Sequence, residues 1–179
     1  MSEQIIITVQ GTPRSQPRGR AVGENRIVSI VDPRTKAWAA SVRSAAQRCM
    51  DGLGGPKVTE AILGGKRCPL AMRVIFHIPT KNPKDWGKWH SAASRYDLDN
   101  LEKLVMDELM GRKGCPLGSD DARIANKWGI KLWSRPRDAG CYVTLEQAGD
   151  PALAVAQMMG RTIDSVKADL TPAPWLIDN

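Results

Sequence analysis

No run of about 18 apolar residues occurs in the 179-residue chain, which excludes a membrane-spanning helix. The opening MSEQIIITVQGTPRSQPRGR has no basic segment ahead of an apolar one, so a secretory leader is not expected and a cytoplasmic location follows. Only two histidines are present, His77 and His90, too few for a histidine-rich metal site. The four cysteines, at 49, 68, 115 and 141, match neither a zinc-knuckle nor a CxxC spacing. Without a secretion signal a disulfide framework is not expected, and the thiols should act as small buried or half-buried hydrophobes. Internal repeats are also lacking.

What is present is globular: 42% hydrophobic and 25% charged residues, in a chain the length of one ordinary domain. The formal net charge is +7, and it is unevenly spread. Residues 1–50 and 51–96 each carry eight basic and three acidic groups, whereas 97–121 carry three and seven. A basic surface attracts polyanions such as DNA or RNA. An acidic island inside it repels phosphate unless a divalent cation bridges carboxylate and phosphate. The plainer alternative is a solvated helix with an acidic bias.

Along the chain, Ile5–Val9 reads as a strand, followed by a Gly/Pro-rich stretch holding Arg14, Arg18, Arg20 and Arg26. Ile27–Val31 reads as a second short strand. Asp32-Pro33 is a helix start, and Trp38, Val42, Ala45, Ala46 and Cys49 give 33–50 a helical apolar stripe. Residues 51–68 read as a glycine-rich loop. Leu70, Met72, Val74, Phe76 and Ile78 alternate as a strand, 81–96 is a polar loop or flap with Trp86 and Trp89, and 99–110 is helical. Ile124, Asn126, Trp128, Ile130 and Leu132 share one face of a further strand, and Cys141, Val143 and Leu145 mark another. Asp150-Pro151 starts a helix to about 168, and an irregular tail follows. The boundaries are a domain over 1–148 and a C-terminal extension over 149–179.

The chemistry concentrates in Asp97-Leu98-Asp99-Asn100-Leu101-Glu102-Lys103, with Asp107 a turn on and Asp120-Asp121 just before a strand. Asp97 or Asp99 can cap the helix. Asp99, Lys103 and Asp107 are four apart and line one helix face, so Lys103 is either an ion-pair partner of these acids or a clamp on phosphoryl oxygens. Asn100 either holds the helix start or orients a ligand carboxylate. Carboxylates at a helix start and a strand start can enclose one or two magnesium ions if they converge.

The segments RYDLDNLEKLVMDELMG (95–111) and SDDARIANKWGIK (119–131) resemble the RusA family of Holliday junction resolvases. The matching positions are Asp97, Asp99, Asn100, Leu101, Lys103, Asp107, Leu109, Asp120, Asp121, Ile124 and Lys131, and the resemblance spans roughly residues 3–147. It implies a single small α+β domain, a mixed β-sheet packed with helices. It further implies an endonuclease using Mg²⁺, with Mn²⁺ as a substitute, on four-way and other branched DNA, working as a homodimer of phage or prophage type. Asp97, Asp99 and Asp121 take the places of the essential carboxylates, Asp120 that of an auxiliary metal ligand, and Lys103 that of the catalytic lysine. Independently of the resemblance, the Gly/Pro-rich cluster Arg14, Arg18, Arg20 and Arg26 reads as a phosphate-binding loop, the plainer alternative being an ordinary solvated loop. Lys131, at the position of the family's strand lysine, is a further candidate DNA contact, and the stripes of helices 33–50 and 151–168 are candidate dimer contacts. The competing classes are a non-catalytic DNA-binding protein on the same fold and a metal-dependent nuclease for flap or other nucleic acids.

Overall fold

The computed structural model describes residues 4–16, 20–21, 27–28, 32–90, 96–111, 115–118, 120–153, 156, 160 and 162–165. The chain divides into two compact units, Met1–Gln147 and Ala148–Asn179.

The first unit is built on a four-stranded mixed sheet of β1 (Gln4–Gln10), β4 (Leu70–Pro79), β5 (Ile124–Ser134) and β6 (Gly140–Gln147) in the order β1-β6-β4-β5. Only β4 and β5 run parallel. A parallel pair needs a crossover, and here it carries helix α3 (Leu98–Leu109). The short strands β2 (Arg20–Ala21) and β3 (Ile27–Val28) pair antiparallel with each other. Alternation sends Ile5, Ile7 and Val9, Val74, Phe76 and Ile78, and Cys141, Val143 and Leu145 to one face. Helix α1 (Pro33–Gly52) and α3 cover that face with Trp38, Val42, Ala46, Leu101, Leu104, Val105 and Leu109. Gly140 lets β1 and β6 close up, since a Cβ there would lie 2.1 Å from the Val9 carbonyl oxygen. The architecture is α+β, as expected from the resemblance.

Helix α1 starts where Asp32 Oδ1 accepts from Arg34 N at 2.5 Å. Its apolar stripe is buried in the core of its own unit, which removes it as a dimer contact. The glycine-rich stretch read as a loop over 51–68 contains a short helix, α2 (Pro56–Ile62). Pro56 fits its first turn, and Thr59 and Leu63 supply the buried side.

Of the two readings of 81–96, a loop or a flap, the described part is a loop with a 3₁₀ turn at Pro83–Asp85, held against the sheet. Gly87 N donates to Trp133 O at 2.9 Å, Trp133 N to Lys88 O at 2.9 Å and His90 N to Lys131 O at 3.0 Å, so 87–90 runs along the edge of β5. In β5 the expectation is corrected: Ile124 does not share a face with Asn126, Trp128, Ile130 and Leu132. The register with β4 shifts between Leu70/Ala71, so Ile124 packs on the core and the others lie on the opposite face, where Trp128 is exposed. All four thiols are free, Cys141 buried and the rest half-buried.

The second unit is helical at 151–153 and 163–165, with Asp150 Oδ1 accepting from Ala152 N at 2.9 Å. Ala152 and Ala156 pack with Ile163. Ala156 is helical too, but Gly160 is a turn residue with φ +62° and Thr162 is non-helical, so the one continuous helix read over 151–168 is interrupted there. Residues 154–155, 157–159, 161 and 166–179 lie outside the described residues.

Candidate active site

Helix α3 runs back along the inner face of β5. At its start Lys131 Nζ donates to Tyr96 O at 2.6 Å, further on Leu98 and Glu102 cover Gly129, and Lys127 reaches Asp99 and Glu102. Asp97 holds the N-cap position in extended backbone geometry, but its side chain does not cap the helix. Asn100 Nδ2 instead donates to Asp97 Oδ2 at 3.1 Å, so of the two roles open to Asn100 it takes that of orienting the carboxylate. Asp99 lies in the first turn with its side chain 74% exposed. Lys103, one turn further, is exposed and among the described residues forms no ion pair with Asp99 or Asp107.

The second acidic pair sits ahead of β5 in a 3₁₀ turn, Asp121–Arg123. Asp120 Oδ1 accepts from Ala122 N at 3.1 Å and so caps that turn, while Asp121 is half-buried within it. Arg123 fixes the turn from below: its guanidinium donates to the carbonyls of Leu63, Gly65 and Cys68 at 3.2, 2.6 and 3.2 Å. A cleft of about 570 Å³ beside α2 has Asp120, Glu60, Lys66 and Arg123 on its wall.

Among the described residues no three His, Cys, Asp or Glu side chains come together as a metal-holding group. In donor chemistry the residues fit magnesium or manganese, since Asp97, Asp99, Asp120 and Asp121 offer carboxylate oxygens alone.

Of the basic residues, the Arg14–Gln16 stretch lies beside the first turn of α3, because Gln16 N donates to Asn100 O at 3.0 Å. Arg20 is placed by its backbone in β2, and Arg18 and Arg26 lie outside the described residues. Lys131 is half-buried and tied to Tyr96.

Three residues of this site were not singled out by sequence reasoning. Glu102 is 5% exposed, and its carboxylate lies over Gly129, where a Cβ would stand 2.1 Å from Oε1. Lys127 Nζ bridges Asp99 Oδ1 at 3.0 Å and Glu102 Oε2 at 3.1 Å. The hydrogen bonds to Asp99 and then Glu102 hold the Lys127 ammonium above its ordinary pKa. The available signal was the i, i+2 series Lys127, Gly129, Lys131, which alternates with the apolar series that drew attention to β5. Elsewhere on α3, Glu108 breaks the helical stripe because its buried carboxylate pairs with Arg43 of α1.

The family model described as Endodeoxyribonuclease RusA matches residues 10–146. The chain belongs to the RusA family. At the family level its function is that of a nuclease resolving Holliday junctions, within a family whose members act on branched DNA and as dimers. The assignment makes this chain a hydrolase of the metal-dependent nuclease class. A comparison with curated proteins finds no match. Among the described residues no helix is long and apolar enough to cross a membrane.

Proposed function

We propose that this RusA-family chain resolves four-way DNA junctions with Mg²⁺, or Mn²⁺ in its place, held by Asp97, Asp99 and Asp121 with Asp120 as an auxiliary ligand. The observation that carries the proposal is the exposed start of α3. There the Asp99 side chain is 74% exposed and Asn100 Nδ2 donates to Asp97 Oδ2, within the segment matched by the family. Bound to these oxygens, a divalent ion supplies charge for the scissile phosphate and a more acidic attacking water.

The chain's own residues do the rest. Asn100 keeps one oxygen of Asp97 in a fixed direction. Lys131 holds the Tyr96 carbonyl and thereby the backbone entering Asp97. Lys103, exposed and four residues past Asp99, is a point charge for phosphoryl oxygens in the transition state. Arg14, Arg18, Arg20, Arg26 and the remaining donors of Lys131 contact phosphates and set affinity without reading sequence. Two copies related by a two-fold axis give two equivalent cuts in one junction. The basic chain works in the bacterial cytoplasm, or in that of the host if it is phage-encoded.

The test is purified protein against a labelled four-way junction, a matched duplex, a flap and single strands, with Mg²⁺ and with excess EDTA. Paired cuts confined to the junction and abolished by EDTA are expected. Binding without cutting would establish the non-catalytic alternative, and preferred flap cutting would move the substrate class.

A further inference from the structure

Three features meet at Lys127. Its ammonium stands 3.0 Å from Asp99 Oδ1 and 3.1 Å from Glu102 Oε2. Glu102 is a buried carboxylate, and a buried charge persists only with a counter-charge beside it. Gly129 makes the room for it, because a Cβ there would stand 2.1 Å from Glu102 Oε1 and the carboxylate would have to move from its present place. Glu102 therefore anchors the ammonium from the buried side, and Asp99 meets it from the solvent side.

An ammonium and a divalent cation compete for the same carboxylate lone pairs, and each repels the other at contact distance. We infer that Lys127, anchored by Glu102, is a built-in competitor for the metal at Asp99: it neutralises Asp99 until a divalent ion displaces it, and so sets how much free metal the site requires. This rests on Asp99 being a metal ligand. It assigns to Lys127, Glu102 and Gly129 a part that neither the acidic motif nor Lys103 performs. It also separates two states of Asp99, one paired with Lys127 and one on the metal, so that metal loading and release of Lys127 are one event.

The experiment is Mn²⁺ binding to the full-length, DNA-free protein, read by the electron paramagnetic resonance of free Mn²⁺, with no turnover involved. The decisive variant is the double change Lys127→Met/Glu102→Gln. It removes one charge of each sign, so the net charge of the site is unchanged, and it leaves no buried carboxylate unpaired. It should bind Mn²⁺ roughly tenfold more tightly than wild type. Lys127→Arg, which keeps a cation within reach of both carboxylates, should stay within about twofold of wild type. In an Asp99→Asn background the tightening should vanish, because the competitor acts through Asp99. Unchanged or weaker Mn²⁺ binding by the double variant overturns the competitor role. If Asp99→Asn alone binds Mn²⁺ as wild type does, Asp99 is no ligand and the proposed site itself falls. Loss of Mn²⁺ in Asp99→Asn with no tightening in the double variant removes only the competitor.

Discussion

Lys131 and Tyr96 are joined across 35 residues of sequence: the lysine ammonium on β5 donates to the tyrosine carbonyl at 2.6 Å, one residue ahead of Asp97. That bond fixes where the acidic helix begins. Lys131→Met should lower the single-turnover cleavage rate by about 10- to 100-fold, the scale on which small misplacements of reacting groups act. It should also flatten the salt dependence of junction binding by roughly one unit. Wild-type turnover in the variant would show that the Tyr96 anchor is not needed.

Lys103 offers a cleaner separation, since it is exposed and no ion pair holds it among the described residues. Lys103→Ala should leave the melting temperature unchanged and reduce the chemical step by ~10²-fold or more. Rates measured at saturating enzyme decide this. A loss confined to DNA affinity would make Lys103 a binding residue instead.

The arginine loop should show the opposite signature. Neutralising Arg14 together with Arg20 should weaken binding to junction and duplex alike. It should also reduce the slope of log affinity against log salt by roughly one unit for each phosphate left without its arginine. At saturating enzyme the cleavage rate should change little. Titrations at several salt concentrations provide the check, and an unaltered slope would place the phosphate-binding groups elsewhere on the basic surface.

His90 gives a prediction on stability. It is 6% exposed, packs on Trp133 and Tyr96, and among the described residues neither ring nitrogen has a hydrogen-bond partner. Burial lowers its pKa; the pull of its own backbone opposes this in part, and the Lys131 charge adds to the lowering. When a base has a folded pKa below its unfolded value of about 6.5, the unfolded chain takes up the proton first, so the fold loses stability as the pH falls from about 6.5 towards the folded value and carries no such penalty above it. Melting temperatures should therefore drop on acidification below about pH 6.5. His90→Phe should shrink that drop and be neutral or stabilising at pH 7.5, by up to about 1 kcal/mol, because no buried polar group is left unpaired. An acid limb identical in the two proteins would assign the drop to other groups.

The layered fold was legible because its signals are local and periodic. The alternation of Leu70 to Ile78 and the helical stripe of Trp38, Val42 and Ala46 each survive in the structure. What was not legible came from contacts distant in sequence. A register shift beside Ala71 reversed the face of Ile124 relative to Trp128, and no feature of either residue announces it. Helix α2 hid among glycines because its buried side amounts to Thr59 with Leu63 just beyond the helix. At the site, Asp97 and Asp99 stood out by their spacing. Glu102 and Lys127 did not, because a Glu on a helix and a Lys on a strand read as ordinary surface until packing brings them to 3.1 Å.

Assembly is tested by light scattering. A dimer should weigh about twice 19.6 kDa, free or bound to a junction. A mass of 19.6 kDa in both states would contradict two symmetric cuts made by one assembly.

The most direct test of the proposed site compares cutting and binding in Asp97→Asn, Asp99→Asn and Asp121→Asn. Each change keeps size and removes one carboxylate charge. Single-turnover cleavage of a labelled four-way junction in Mg²⁺ should be abolished in all three, while junction affinity measured in Ca²⁺ stays at or above that of wild type. Near wild-type cutting by Asp99→Asn would contradict the assignment.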